Sequence, residues 1–521
     1  MTAERVTDRT SRVERIAAMV LIALGVTIRI WIRYPTDFWE DEIIAATHAV
    51  QPFWQIPVEA LRNDTHPPLY FMQLHFWGWF GHSDVWLTLN SVVWSLVAII
   101  SVWSVGRKLY GARAALLAAA VFAVLPSPSY FADQLRMYSM LAAIIVWAFY
   151  LSVRLFEERR RTVAIIVGLE LLLLAIIYTH AIGFVAVLLN GIYAFRLAMR
   201  RGRNGRALPL WFGIYGLAAL AALPMLASGM LHDANLSDGG GFAGILASLA
   251  APALGEIVYG SGLFLALDVL AYLAIIVFGL GSRRTVAQTL VFLVLPLVLS
   301  ILVGLFFKPI FKWNFFSTMA APFIGLIVAQ ALTGPSEKRV SWHVCAFLLV
   351  LLLLTMSIVT RLTHFVSSGF RDRANLIAAN YRPGDLVYAP QQSVFWGAAW
   401  YLAGPNWGSP LSIAAAPSPQ WQRVYRKLGP ALVRALHLMP DTQLLDRGGI
   451  KILSGNESGG QAAGASRVWM LTMPRVDLKA GYPPATFNGL PQQWSDHNHT
   501  WLTLYAAGSQ QVAVPPPLVR H

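Results

Sequence analysis

The sequence predicts a polytopic α-helical membrane protein of about eleven transmembrane helices with a small C-terminal α/β domain outside the membrane. Three observations carry that prediction. Of the 521 residues, 56% are hydrophobic and only 13% charged, and the mean hydropathy is +0.55, a balance foreign to soluble domains. Apolar runs of about 17–25 residues, long enough to cross hydrocarbon as helices, recur between short polar breaks. Beyond residue 359 the composition turns to Pro, Gly, Gln and Asn with scattered aromatics.

The first apolar run, 16–32, follows Arg5, Arg9, Arg12 and Arg15, as a signal peptide would. No small-residue cleavage site comes after it, only Arg29, Trp31, Arg33 and Tyr34, so it reads as a retained helix. Further spans are expected at 85–105, 114–125, 138–155, 163–178, 182–197, 208–227, 263–280, 286–306, 315–332 and 342–359. Basic residues fill alternate loops: Arg107, Lys108 and Arg113; Arg159 to Arg161; Arg200, Arg201, Arg203 and Arg206; Arg283 and Arg284; Lys338 and Arg339. The positive-inside bias puts those loops and the N-terminus in the cytoplasm of an inner (plasma) membrane. The net charge of +14 is thereby explained by topology, and no nucleic-acid partner is called for.

An odd number of spans sends the rest of the chain to the outer face, dividing it into a membrane region, 1–361, and an outer domain, 362–521. In that domain 372–380 and 396–402 read as helices, and 385–388 and 467–471 as strands. The one cysteine, Cys345, lies in a Leu-rich run and forms no intrachain disulfide.

The outer loops hold Asp41, His66, Arg136, His180, Asp233 and Lys312, so the residues fit for chemistry gather on one face. Foremost is Trp39-Glu40-Asp41-Glu42, directly after the first span. A carboxylate at the bilayer centre costs roughly 2.5–3.5 kcal/mol, so acids at a membrane edge are held by a partner or a task. The task that fits is sugar transfer from a lipid phosphate. In a single in-line displacement one carboxylate, Asp41, takes the acceptor proton, and the departing phosphate needs only positive charge or hydrogen-bond donors. Glu42 could hold a substrate hydroxyl or raise the Asp41 pKa by like-charge proximity. Alternatively both acids cap the helix that continues through Ile43 and Ile44.

Asn63-Asp64-Thr65-His66-Pro67-Pro68-Leu69-Tyr70 follows, its prolines holding His66 in a stiff extended segment. Arg136, a rare outer-loop cation, can grip phosphate with paired donors, or else anchor the chain by snorkelling. Tyr138 competes with an aromatic-belt role, and His180 either lines the same cavity or sits at the interface. Asp41, Glu42, Asp64 and His66 are types that bind divalent cations, but their spacing is not that of a ligand set. The displacement requires no cofactor, and a divalent cation stays open as an addition. The loop 232–259, with Asp238-Gly239-Gly240-Gly241, reads either as a lid or as an ordinary connector, and Asp496-His497-Asn498-His499 as a solvated loop.

Taken in order, Trp39-Glu40-Asp41-Glu42, Asp64-Thr65-His66-Pro67-Pro68-Leu69-Tyr70 and Phe131-Ala132-Asp133-Gln134-Leu135-Arg136-Met137-Tyr138 resemble the motifs of the GT-C polyprenyl-phosphate-dependent glycosyltransferases. The branch is that of protein O-mannosyltransferases and lipid A aminoarabinose transferases. The resemblance implies a GT-C fold, Asp41 as acceptor-activating base and Arg136 at the lipid phosphate. It also implies a polyprenyl-phosphate sugar donor and a lipid, glycan or protein acceptor. Where relatives carry an Arg-Tyr pair before a late span, this chain reads Phe311-Lys312-Trp313-Asn314, so Lys312 would stand in as a point charge. Two other classes compete. A transporter or flippase would gather its ionisable residues near the midplane and show repeated halves. A polysaccharide polymerase or ligase would rely on large outer loops with Arg and His.

Overall fold

The computed structural model describes residues 12–30, 37–63, 66–157, 162–200, 207–232, 262–299, 313–333, 339–363, 369–390, 392–404, 443–447, 449–454, 465–472, 486–487, 490–496 and 501–507. The helices run α1 (Arg12–Ile30), α2 (Glu40–Ala49), α3 (Ile56–Asn63), α4 (Leu69–Gly78), α5 (Asp84–Tyr110) and α6 (Ala112–Val124). Then come α7 (Pro126–Tyr130), α8 (Tyr138–Phe156), α9 (Val163–Thr179), α10 (Gly183–Arg200) and α11 (Ala207–His232). Helices Gly262–Leu280, Val286–Leu299, Trp313–Thr333 and Arg339–Thr363 follow.

A helix thus lies at each position where an apolar run predicts one. Four of them are long and apolar enough to cross a membrane unaided: α5, α8, α10 and Ala207–Met225 of α11. A fifth span would join α6 to Pro126–Asp133 across a 63° bend. Shorter apolar helices, such as α9 and Thr318–Thr333, account for the others except α1, which does not pass as a span by itself, so length and composition alone do not deliver eleven spans among the described residues. The loop expected between the first two spans folds as α2, α3 and α4.

The chain divides into two compact units. The first comprises Met1–Arg33, Asp64–Tyr70 and Thr88–Phe365. At its centre α6, in which seven of thirteen residues are alanine, packs against α1 and helix Trp313–Thr333. Small side chains let backbones approach where lipid supplies no hydrophobic drive. A Cβ on Gly325 would sit 2.6 Å from the Ala118 carbonyl oxygen. Beside this seam Phe292 stacks on Phe323 with ring centres 3.7 Å apart.

Helix α6 stops where Leu125 adopts extended backbone (φ −64°, ψ 129°) ahead of Pro126, as a residue before proline must. Pro126 then opens α7. A helix end deep in apolar surroundings leaves carbonyls that need donors, and Arg29 of α1 supplies them. Its guanidinium donates to the carbonyls of Ala123 and Phe122, the latter at 3.3 Å, to its own helix at Gly25 (2.9 Å) and to Ser95 Oγ (2.8 Å). Arg29 is fully buried. Gly25 lets α6 come this close, because a Cβ there would collide with the Ala123 carbonyl.

The second unit comprises Tyr34–Asn63, Phe71–Leu87 and Val366–His521. It holds helices Phe370–Asn380 and Gln392–Ala398, the latter running on as a π turn, Ala399–Ala403. With them goes a mixed seven-stranded sheet of order β2-β3-β1-β4-β7-β6-β5. The strands are β1 (Asp385–Tyr388), β2 (Gln443–Arg447), β3 (Ile450–Ser454), β4 (Arg467–Thr472), β5 (Thr486–Phe487), β6 (Leu490–Asp496) and β7 (Trp501–Ala506). β1 lies parallel to β3 and β4; the remaining pairs are antiparallel.

One sheet face buries Leu386, Tyr388, Leu453, Val468, Met470 and Tyr505 together, and helix Gln392–Ala398 packs against β3 and β4. Asp385 is buried at the head of β1, where Trp469 Nε1 (2.9 Å), the Arg382 backbone N–H (3.0 Å) and Arg467 Nε (3.3 Å) surround its carboxylate. Strands β2, β3 and β5 to β7 escape the sequence reading, which passed over the two-residue hairpin signatures Gly448-Gly449 between β2 and β3 and Asn488-Gly489 between β5 and β6. The expected strand 467–471 and the two expected helices lie within slightly longer elements.

Candidate active site

Within the second unit the acidic motif forms the first turn of α2. Trp39, extended at φ −86°, is its N-cap, which places Glu40, Asp41 and Glu42 at the first three helical positions. Negative charge is favoured there by the helix dipole. Glu42 Oε2 accepts the Trp39 backbone N–H at 3.2 Å and the side chain is buried, whereas Asp41 is partly exposed. Of the roles open to Glu42, capping therefore has a bond to show for it. Further along α2, buried His48 lies between Phe71 (ring centres 4.7 Å) and Trp396 (6.0 Å), so this helix is seated by aromatic packing.

Within the first unit the structure brings together four of the residues singled out from sequence. Arg136 follows the 3₁₀ turn Phe131–Asp133 and precedes Met137, the N-cap of α8. Its guanidinium meets His66 Nε2 at 3.0 Å. Guanidinium has no acceptor, so His66 accepts here through an unprotonated nitrogen. The His66 ring meets His180 edge-on at 4.9 Å, and His180 packs against Tyr138 at 5.4 Å. His180 Nδ1 accepts the Ile182 backbone N–H at 2.9 Å, which leaves the proton of the neutral ring on Nε2. Arg136 is only 2% exposed.

Tyr70 has a different place: fully buried, its hydroxyl lies 3.4 Å from Ser91 Oγ, which in turn donates to the Arg136 carbonyl at 3.3 Å. Tyr70 thus braces the Arg136 segment through α5. His66 sits just ahead of α4, with Pro67 and Pro68 buried beside it, in keeping with the stiffness expected of that dipeptide.

Asp64 and Lys312 lie outside the described residues, as do Asp233, most of the loop 232–259 and residues 497–499. Among the described residues no three His, Cys, Asp or Glu side chains gather closely enough to hold a metal ion. Sequence reasoning missed Ser91 and His48, which carry no motif, and passed over Arg29, whose signal was a cation inside an apolar run.

No family model matches this sequence, and no curated protein matches it either. Its structure matches that of ArnT from Cupriavidus metallidurans in two states. Bound to undecaprenyl phosphate, ArnT shares 13% identity at a TM-score of 0.52, over 97% of this chain and 99% of that one. In the apo state the identity is 14% and the TM-score 0.55, over 95% and 99%. At this identity the likeness is one of fold, and it extends almost end to end: the chain has the fold of ArnT, the GT-C fold that its motifs resemble.

Proposed function

We propose that this chain is an integral membrane glycosyltransferase that moves a sugar from a polyprenyl-phosphate donor to an acceptor on the outer face of the membrane. One observation carries the reading: a buried arginine, held by His66, immediately before the N-terminus of a 19-residue helix. A cation and the positive end of a helix dipole repel each other, and an anion placed between them relieves both. A phosphate monoanion or dianion suits that position, and the solved structure of the same fold contains undecaprenyl phosphate.

In this mechanism the Asp41 carboxylate removes the proton of the acceptor hydroxyl as its oxygen attacks the anomeric carbon. The bond from that carbon to the phosphate oxygen breaks, the pair of electrons leaves with polyprenyl phosphate, and the configuration inverts. Arg136 meets the charge that develops on the departing oxygens. Glu42 acts by holding the turn that carries Asp41, and His66 and His180 by orienting Arg136, with Tyr138 as the wall behind them. Asp64 and Lys312 keep the substrate-binding roles that the motif resemblance implies. No cofactor enters these steps. The N-terminus is assigned to the cytoplasm and the C-terminal region, 362–521, to the outer side. The clustering of these ionisable residues near helix ends argues against a transporter or flippase, whose sites favour broken helices at the midplane.

The test is incubation of purified protein in lipid with a panel of lipid-phosphate sugars and acceptors, products being resolved by mass. Asp41→Asn should lower transfer by roughly 10²–10⁴-fold, the usual contribution of a general base, with folding intact. Full activity in that variant would remove the proposed base.

A further inference from the structure

The residues just before Asp41 are tied into the C-terminal part of the second unit by a chain of partly buried polar contacts. The Phe38 backbone N–H donates to the Tyr401 hydroxyl at 2.8 Å, and that hydroxyl donates to Asp84 Oδ2 at 2.5 Å. The Arg371 guanidinium pairs with the same Asp84 oxygen and lies over the Tyr401 ring, 5.5 Å from its centre. Asp37 accepts the Arg371 backbone N–H at 3.2 Å. Helix Phe370–Asn380 has no side-chain cap of its own, its N-cap being Gly369 at φ 75°, so Asp37 serves one of its open N–H groups from outside.

Apolar contacts follow the same path. Phe38 meets Trp400 at 6.1 Å between ring centres, and α2 packs against helix Gln392–Ala398. Phe370 fits over Gly397, where a Cβ would lie 2.8 Å from its ring. Burial first, and then the Asp84 carboxylate, raise the Tyr401 phenol above its ordinary value, so the phenol keeps the proton that it donates. For Arg371 burial works against the charge, but Asp84 and Tyr401 together outweigh it and the guanidinium stays charged.

We propose that Asp84, Arg371 and Tyr401 form a latch through which the C-terminal part of the chain positions the acidic turn, and with it Asp41. These are positioning residues: Tyr401 fixes Phe38, one residue before the N-cap of α2, and the Arg371 backbone N–H fixes Asp37, the residue before that. The direction in which the Asp41 carboxylate leaves the helix follows from where the cap sits. This inference rests on the reading of Asp41 as the base, yet the geometric half of it can be read without any turnover.

The decisive variant is Tyr401→Phe in the full-length protein, which removes one hydroxyl and keeps the ring beneath Arg371. Hydrogen exchange is followed by mass spectrometry on peptides covering 37–49 and, for comparison, 443–454 and 465–472. The expected result is faster exchange confined to the first stretch. Transfer is measured at varied donor concentration. Maximal turnover should fall on the order of tenfold or more, since a misplacement of about 1 Å can cost 10²-fold, while the donor KM holds because Arg136 is untouched. Asp84→Asn and Arg371→Ala should behave alike, and Arg371→Lys, which keeps the charge, should lose less than Arg371→Ala. Lys451→Ala, in an exposed pair with Asp446 on the same unit, should change neither readout.

Unchanged exchange at 37–49 would overturn the latch, and so would exchange that rises equally across the sheet. If the wild type transfers no sugar from any lipid phosphate, the glycosyltransferase reading falls while the exchange result still decides the latch.

Discussion

Arg29→Met tests how the first unit pays for a helix break inside an apolar core. The substitution keeps the length of the side chain and removes every donor. Of the four acceptors that Arg29 serves, Gly25 keeps the N–H of its own helix, and Phe122 keeps the Leu125 N–H at 3.3 Å. The loss therefore falls chiefly on the Ala123 carbonyl and the Ser95 hydroxyl. A buried group left without its partner costs about 1–3 kcal/mol, and relief from burying a guanidinium offsets part of that. The expected net loss is about 2–4 kcal/mol, read as a lower midpoint in thermal unfolding of the detergent-solubilised protein by tryptophan fluorescence. Gly25→Ala attacks the same junction sterically and should also destabilise. Because α6 and α7 lead into the Arg136 segment, Arg29→Met should in addition weaken donor use. A melting midpoint equal to wild type in both variants would refute the idea that this junction depends on Arg29.

Arg136→Ala should lower kcat/KM for the lipid-phosphate donor by roughly 10–100-fold, the equivalent of one or two charge-assisted hydrogen bonds. Arg136→Lys should be intermediate, and an unchanged donor dependence would return Arg136 to a membrane anchor. Asp385→Ala should destabilise the second unit by about 3 kcal/mol, because Arg467 and Trp469 Nε1 lose a buried partner; urea-induced loss of near-UV circular dichroism would measure it. Exhaustive chelation should leave transfer intact, and a loss restored only by a divalent cation would add a metal to the mechanism.

Much of this protein was legible in its sequence because membrane helices announce themselves locally. Every apolar run carries its own hydrogen bonds and its own reason to leave water, so its position needs no knowledge of its neighbours. The same holds for Pro67 and Pro68, whose rings stiffen the chain at His66, and for the acids that crowd the first turn of α2. Motif order sufficed to suggest the GT-C fold. In the second unit only β1 and β4 were legible, as short runs buried along their whole length, whereas β6 carries a register shift at Gln492/Trp494 that interrupts its alternation.

Read alone, the amino acids name the kind of protein and a short list of charged residues worth asking about. Which of those residues meet is settled by packing in three dimensions. His66, Arg136, Tyr138 and His180 come from three separate stretches, and Asp84 lies 287 residues from Arg371 and 317 from Tyr401. The physical reason is that a buried charge is tolerable only where partners converge on it, and convergence is a property of packed helices that no single stretch of chain contains.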